Sequence, residues 1–141
     1  MSYDLMVFEP ASAPADHDEF MTWYRAQTEW AEDHAYNDPK VSTPRLSAFF
    51  HEIIKQYPAM NGPYGVEELD DEDEDDALVS DYTVGQSVIY IAFAWSKAEG
   101  AYPEVLRLAT KHQIGFFDVS SNNEEVWLPD GKGGLAIVHK A

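Results

Sequence analysis

The stretch "SVIYIAFAW" (Ser87–Trp95) decides the fold. At a period of two, Ile89, Ile91, Phe93 and Trp95 fall on one face, and Val88, Tyr90, Ala92 and Ala94 on the other. Both sets are apolar, which predicts a central strand covered on one face and partly on the other. The run from Val88 to Trp95 is far shorter than the roughly 20 residues that span a bilayer.

Working outward, "LVSDYTV" (Leu78–Val84) predicts the preceding strand. Gly85-Gln86 would join the two, with Gly at the first central position of a tight hairpin turn. Downstream, Ser96 and Glu99 form a capping box that opens a helix with Ala98, Tyr102, Val105, Ala109 and His112 on one stripe. Pro103 fits this helix poorly, so it either starts later, near Gly100, or kinks there. Lys111 and His112 fall in its last turn, where cations suit the helix dipole. "IGFFDVS" (Ile114–Ser120) reads as a strand, and "EVWLP" and "LAIVH" as shorter strands around the turn "DGKGG".

Towards the N-terminus, "YDLMVF" (Tyr3–Phe8) is an apolar run closed by Pro10 and Pro14, a largely buried strand. Asp16 and Glu19 predict a second capping box. Phe20, Trp23, Tyr24, Gln27, Trp30 and Ala31 then follow at helical spacing to about His34. A further helix has Thr43 as its cap and Pro44 at its first position, where the missing N–H costs nothing. Leu46, Phe49, Phe50, Ile53, Ile54 and Tyr57 form its apolar stripe, and Pro58 ends it. The turn-forming "NGPYG" and the acidic "EELDDEDEDDA" fill the connection 58–77, long enough to be a functional loop or a solvated insert.

The order β-α-α-β-β-α-β with a C-terminal hairpin extension predicts a single α+β domain. It is the ferredoxin-like split βαβ order, an antiparallel sheet backed by helices on one face, with an acidic loop insert at 58–77.

The chain has 141 residues, enough for one sizeable core. Its net charge is −17, and setting aside the nine carboxylates between Glu67 and Asp76 still leaves −8. Such a balance opposes binding to nucleic acid or an anionic membrane, both of which need a basic footprint. It favours salt-sensitive association with basic partners. There is no cysteine, hence no disulfide, thiolate metal site or cysteine nucleophile. The first residues have no basic segment ahead of a long apolar run, so a cytoplasmic protein is expected.

Reaction chemistry is hard to find. The acidic run lacks the alternating ligands, internal glycine and spaced final glutamate of a calcium loop, so no dedicated metal site is expected. Block charge of this kind ordinarily means a solvated, self-repelling segment, with a partner-facing element as the alternative. His17, His34, His51, His112 and His139 show no metal-binding spacing. No serine sits in a nucleophile-elbow motif. "GKGG" (Lys132 within Gly131–Gly134) lacks phosphate-loop spacing and follows Asp130. No cofactor is implied. Trp23, Tyr24 and Trp30 crowd one short helix beside Glu29, Glu32 and Asp33, and an exposed tryptophan there would make an anchor for a basic partner.

"YDLMVFEP", "TPRLSAFFHEIIKQYPAMNGP", "VIYIAFAWSKA", "LRLATKHQIGFFDV" and "VWLP" together resemble small, acidic, free-standing bacterial proteins found among the immunity proteins of polymorphic and secretion-system toxins. The resemblance implies a non-enzymatic protein that binds and occludes a cognate toxin domain. Its motifs are packing and turn residues and bring no catalytic signature. The expected contact residues come from charge and exposure: Glu67, Glu68, Asp70, Asp71, Glu72, Asp73, Glu74, Asp75 and Asp76, with Glu29, Trp30 and Asp33. Two alternatives stay open. One is a small enzyme or ligand-binding protein that uses a helix–sheet cleft with His17, His34, Asp81 or Asp118 as acid or base. The other is a homo-oligomer that pairs through its sheet.

Overall fold

A computed structural model describes residues 2–14, 16–27, 39–57, 59, 80–94, 98–119 and 125–139. Among these residues six strands form one antiparallel sheet in the order β2-β3-β1-β4-β5-β6. They are β1 (Ser2–Phe8), β2 (Asp81–Val84), β3 (Val88–Ala94), β4 (Gly115–Phe117), β5 (Val126–Pro129) and β6 (Leu135–His139). The described α-helices that accompany them are α1 (His17–Gln27), α2 (Pro44–Ile53) and α3 (Ala98–His112). The class is α+β, as expected. Among the described residues no helix is long and apolar enough to cross a membrane.

β3 is central, pairing with β2 on one side and along its whole length with β1 on the other, from Ser2 opposite Ala94 to Phe8 opposite Val88. Its two apolar faces are both used. Ile89, Ile91 and Phe93 join Leu5, Val7, Phe116 and the stripes of α2 (Leu46, Phe49, Phe50, Ile53) and α3 (Ala101, Val105, Leu108, Ala109) in the larger core. Val88 joins Met6, Phe8, Phe117 and Val126 on the opposite face, and there Phe20 of α1 packs.

This corrects the expectation of helices on one face only. α2 and α3 back one side of the sheet and α1 the other. The physical reason is the size of the second-face side chains at one end of the sheet. Met6, Phe8, Val88 and Phe117 are large and fully apolar and must be kept from water, which α1 does. Its rings meet the sheet edge-on or tilted: Phe20 to Phe8 at 5.3 Å, Phe20 to Phe117 at 5.3 Å, Trp23 to Phe8 at 5.7 Å and Tyr24 to Phe117 at 4.9 Å. Such contacts each add about 0.5–1.5 kcal/mol beyond the area they bury. Gly115 makes room for this packing, since a Cβ there would lie 2.3 Å from the Phe8 ring.

Other local expectations are refined. Half of the Asp16–Glu19 capping box forms, with Glu19 N–H donating to Asp16 Oδ2 at 3.0 Å. Thr43 precedes α2, but its hydroxyl donates to Glu9 Oε2 (3.2 Å) and makes no side-chain cap. The hairpin turn is centred on Gln86-Ser87: Gly85 N–H donates to Val88 O at 2.8 Å, so Gly85 closes the ladder and is not the first central residue. α3 begins at Ala98 and runs through Pro103 without stopping. Its end is formed by Gln113, whose φ of 54° terminates the helix in the left-handed region. The C-terminal hairpin extends the sheet beyond β4. Its turn is held by Asp130 Oδ1, which accepts from the N–H groups of Lys132 (2.7 Å) and Gly134 (3.1 Å), with Gly131 and Gly133 at φ 80° and 89°.

Candidate functional site

On the α1 side the sheet is covered unevenly. α1 lies over β1, β4 and β5, whereas the stretch made by β2, β3 and the start of β1 has no described helix above it. The register places Asp81, Thr83, Tyr90, Ala92 and Asp4 together there: Asp81 and Asp4 both lie opposite Ala92, and Thr83 opposite Tyr90. Thr83, Tyr90, Ala92 and Asp4 are half-buried, and Asp81 is exposed.

A hydrogen-bonded chain crosses this stretch. Tyr90 donates its phenolic proton to Asp4 Oδ2 at 2.5 Å. Tyr24, at the edge of α1, shares a hydrogen bond with the Tyr90 hydroxyl. Burial first, and then the Asp4 carboxylate, push the Tyr90 phenol well above its ordinary value, so it stays a neutral donor. Burial likewise raises Tyr24. The result is a carboxylate held in place by a phenol, flanked by a second carboxylate and a second ring. That combination suits a cationic side chain, which gains charge attraction from Asp4 and Asp81 and ring contact from the tyrosines.

Charge is divided between the two sides of the sheet. On the α1 side, among the described residues, Asp4, Asp16, Asp18, Glu19 and Asp81 stand against Arg25. The α2–α3 side, among the described residues, carries Arg45, Lys55, Arg107 and Lys111 against Glu52, Glu99, Glu104 and Asp118. Glu52 there is clasped by α3, its Oε1 accepting from Lys111 Nζ at 2.7 Å and lying 3.1 Å from His112 Nε2. The Lys111 bond, first of several causes, holds the Glu52 carboxyl below its ordinary value.

A second polar group lies between α3 and the sheet. Asp118, only 7% exposed, follows β4 on the α2–α3 side. Tyr3 and Tyr102 are raised by burial; next in line are Asp118 for Tyr3 and Glu125 ahead of Asp118 for Tyr102. Trp127, packed against the same core, has its buried Nε1 without a hydrogen-bond partner among the described residues.

The sequence-derived candidates fare unevenly. Glu67, Glu68, Asp70–Asp76, Glu29, Trp30, Asp33 and His34 lie outside the described residues. Of the acid/base candidates, Asp81 and Asp118 are on opposite faces of the sheet and are not brought together, and His17 opens α1. Trp23 and Tyr24 are half-buried against the second face. The Asp4–Tyr90–Tyr24 chain was not anticipated. Its only sequence signal is the tyrosine interrupting the apolar second face of β3. Among the described residues no group of three or more His, Asp or Glu is placed to hold a metal ion. Comparison with family models, with curated proteins and with solved structures finds no match to this chain.

Proposed function

We propose that this protein is a non-enzymatic binding module that captures a basic protein, in the manner of the toxin-neutralising immunity proteins its sequence resembles. The observation that carries this reading is the acidic, tyrosine-lined stretch of open sheet at Asp4, Asp81, Thr83 and Tyr90 on the acidic side of the molecule. Surface charge of this sign steers a basic partner in, and half-buried aromatic anchors slow its release. Glu67–Asp76 and Glu29, Trp30 and Asp33 would extend the same attraction.

We read the scaffold beneath it as a ferredoxin-like split βαβ. Support comes from the order β4-β1-β3-β2 for the first four strands, with α2 and α3 as the crossover helices on one face. On this reading α1 is an added layer and β5–β6 an added hairpin.

The test is recovery of partners by the tagged chain from its native cells. A basic protein should be retained at low salt and lost as salt rises. Retention should weaken when Asp4, Asp81 and Tyr90 are changed to Asn, Asn and Phe, and again when Asp70–Asp76 are neutralised. Expression of that partner alone should harm cells, and co-expression of this chain should relieve the harm. Undiminished recovery by both variants would reject the reading.

A further inference from the structure

β6 forms one outer edge of the sheet. Among the described residues it pairs with β5 alone. Natural edge strands are ordinarily short, charged, bulged or covered, which blocks pairing with other chains. The opposite edge follows that rule. β2 has four residues, an exposed Asp81, and an adjoining Ser80 already bridged to Ala59. β6 follows it less fully. From Leu135 to Val138 it has no charge and no proline, and its bulge, the extra residue Val138 opposite the Val126–Trp127 step, lies beyond Ile137 and leaves Leu135–Ile137 in regular register. Ile137, 42% exposed, is the large apolar side chain that stands most in water among the described residues. It lies opposite Trp127, and Leu135 and Trp127 pack partly buried on the same side of the hairpin.

The charge of this edge differs from the rest of the molecule. Residues 131–141 contain Lys132 and Lys140 and no carboxylate, in a chain of net charge −17. Two copies of such an acidic protein repel each other strongly wherever acidic surfaces meet. The β6 edge is where that repulsion is weakest.

We propose that two copies of this chain pair edge to edge through β6, antiparallel about a two-fold axis at Ile137, which joins two six-stranded sheets into one. The contact is isologous, so Ile137 meets its own copy and the pairing closes at a dimer. Backbone hydrogen bonds along the regular part of β6, Leu135–Ile137, supply the affinity, and the Ile137–Ile137 contact flanked by Leu135 supplies the register.

The chain has no cysteine, which makes a direct test available. The full-length I137C variant, air-oxidised, should cross-link to a covalent dimer, and a D81C variant on the other edge should not. By light scattering over a concentration series, the unmodified chain should approach twice its 15.9 kDa mass. I137K should dimerise about tenfold more weakly or worse, because it removes the apolar contact and opposes like charges directly. Ile137 is exposed enough that I137K should keep the far-UV circular dichroism of the parent. Raised salt should strengthen this dimer by screening its net repulsion, whereas capture of a basic partner weakens with salt. Failure of one reading is therefore distinguishable from failure of the other. A monomer at every concentration, equal cross-linking of both cysteine variants, or an undiminished I137K dimer would overturn the proposal. So would an edge that takes up only acidic peptides of other proteins, without self-association.

Discussion

The two faces of the sheet meet the same need to bury apolar surface in different ways. The face under α2 and α3 is covered by two helices whose stripes are fully buried, and its outer surface balances cations against anions. Among the described residues the face under α1 is covered by one helix, through aromatic rings, at one end. Its other end leaves a carboxylate and phenols half in water, and the described charges around it are mostly negative. The first face carries the stability. Among the described residues the second gives up some burial and leaves part of its surface half in water.

The largest effects should come from each core. Phe49→Ala, under α2, should cost about 3–5 kcal/mol, measured by urea denaturation. Phe20→Ala, under α1, should also destabilise, with a different signature. Hydrogen exchange should show α1 amides losing protection while β1 and β3 keep theirs, since α1 docks on the far face of a sheet already backed by α2 and α3. Equal loss of protection in α1 and β3 would erase the distinction between the faces.

Next in size is Tyr82. It is 3% exposed and donates its hydroxyl proton to Tyr57 O at 2.6 Å. Tyr82→Phe leaves that carbonyl without its donor and should cost about 1–3 kcal/mol. Burial, and then Tyr57, raise the Tyr82 phenol far above its ordinary value. Its contribution is therefore complete below about pH 10 and lost as pH rises beyond that towards the folded-state value. The parent should show an alkaline loss of stability that the Phe variant largely lacks.

On the open face, Tyr90→Phe should cost less, about 0.5–1.5 kcal/mol, because water can reach the half-buried Asp4 in place of the phenol. A loss as large as that of Tyr82→Phe would mean this end of the face is as dry as the other. The smallest effect belongs to Glu52, whose carboxyl is held low by Lys111. A lowered value means its contribution is present above the ordinary glutamate range and lost as pH falls through the folded value. Glu52→Gln should flatten the acid side of the profile of melting temperature against pH.

Much of the scaffold was legible because its signals are local. The period-two pattern of Val88–Ala94 and the stripe of Leu46–Ile53 each announce their element without reference to the rest of the chain. The side taken by α1 was not read, although a trace of it was present. Met6, Phe8 and Val88 make the second face apolar at one end, while Asp4, Ala92 and Ala94 make it small or polar at the other. The candidate site was largely illegible. Asp4 and Tyr90 are 86 residues apart, and only the β1–β3 register brings them within a hydrogen bond. The turn was misplaced by one residue because Gly85 suggested a strained position, whereas the backbone uses it as the closing rung of the ladder.

The position of β1 has a consequence for the timing of folding. Both of its partners lie far downstream of it in the chain: β3, from residue 88, and β4, from residue 115. A nascent chain must therefore hold "DLMVF" without its hydrogen-bonded neighbours until those downstream residues have been made. Neither face of the strand can be sealed until α3 and β4 have emerged. Such distant pairing slows folding and leaves an apolar segment exposed to other chains in the interval. Asp4 and Glu9, bracketing that segment, supply the charge that discourages premature contacts.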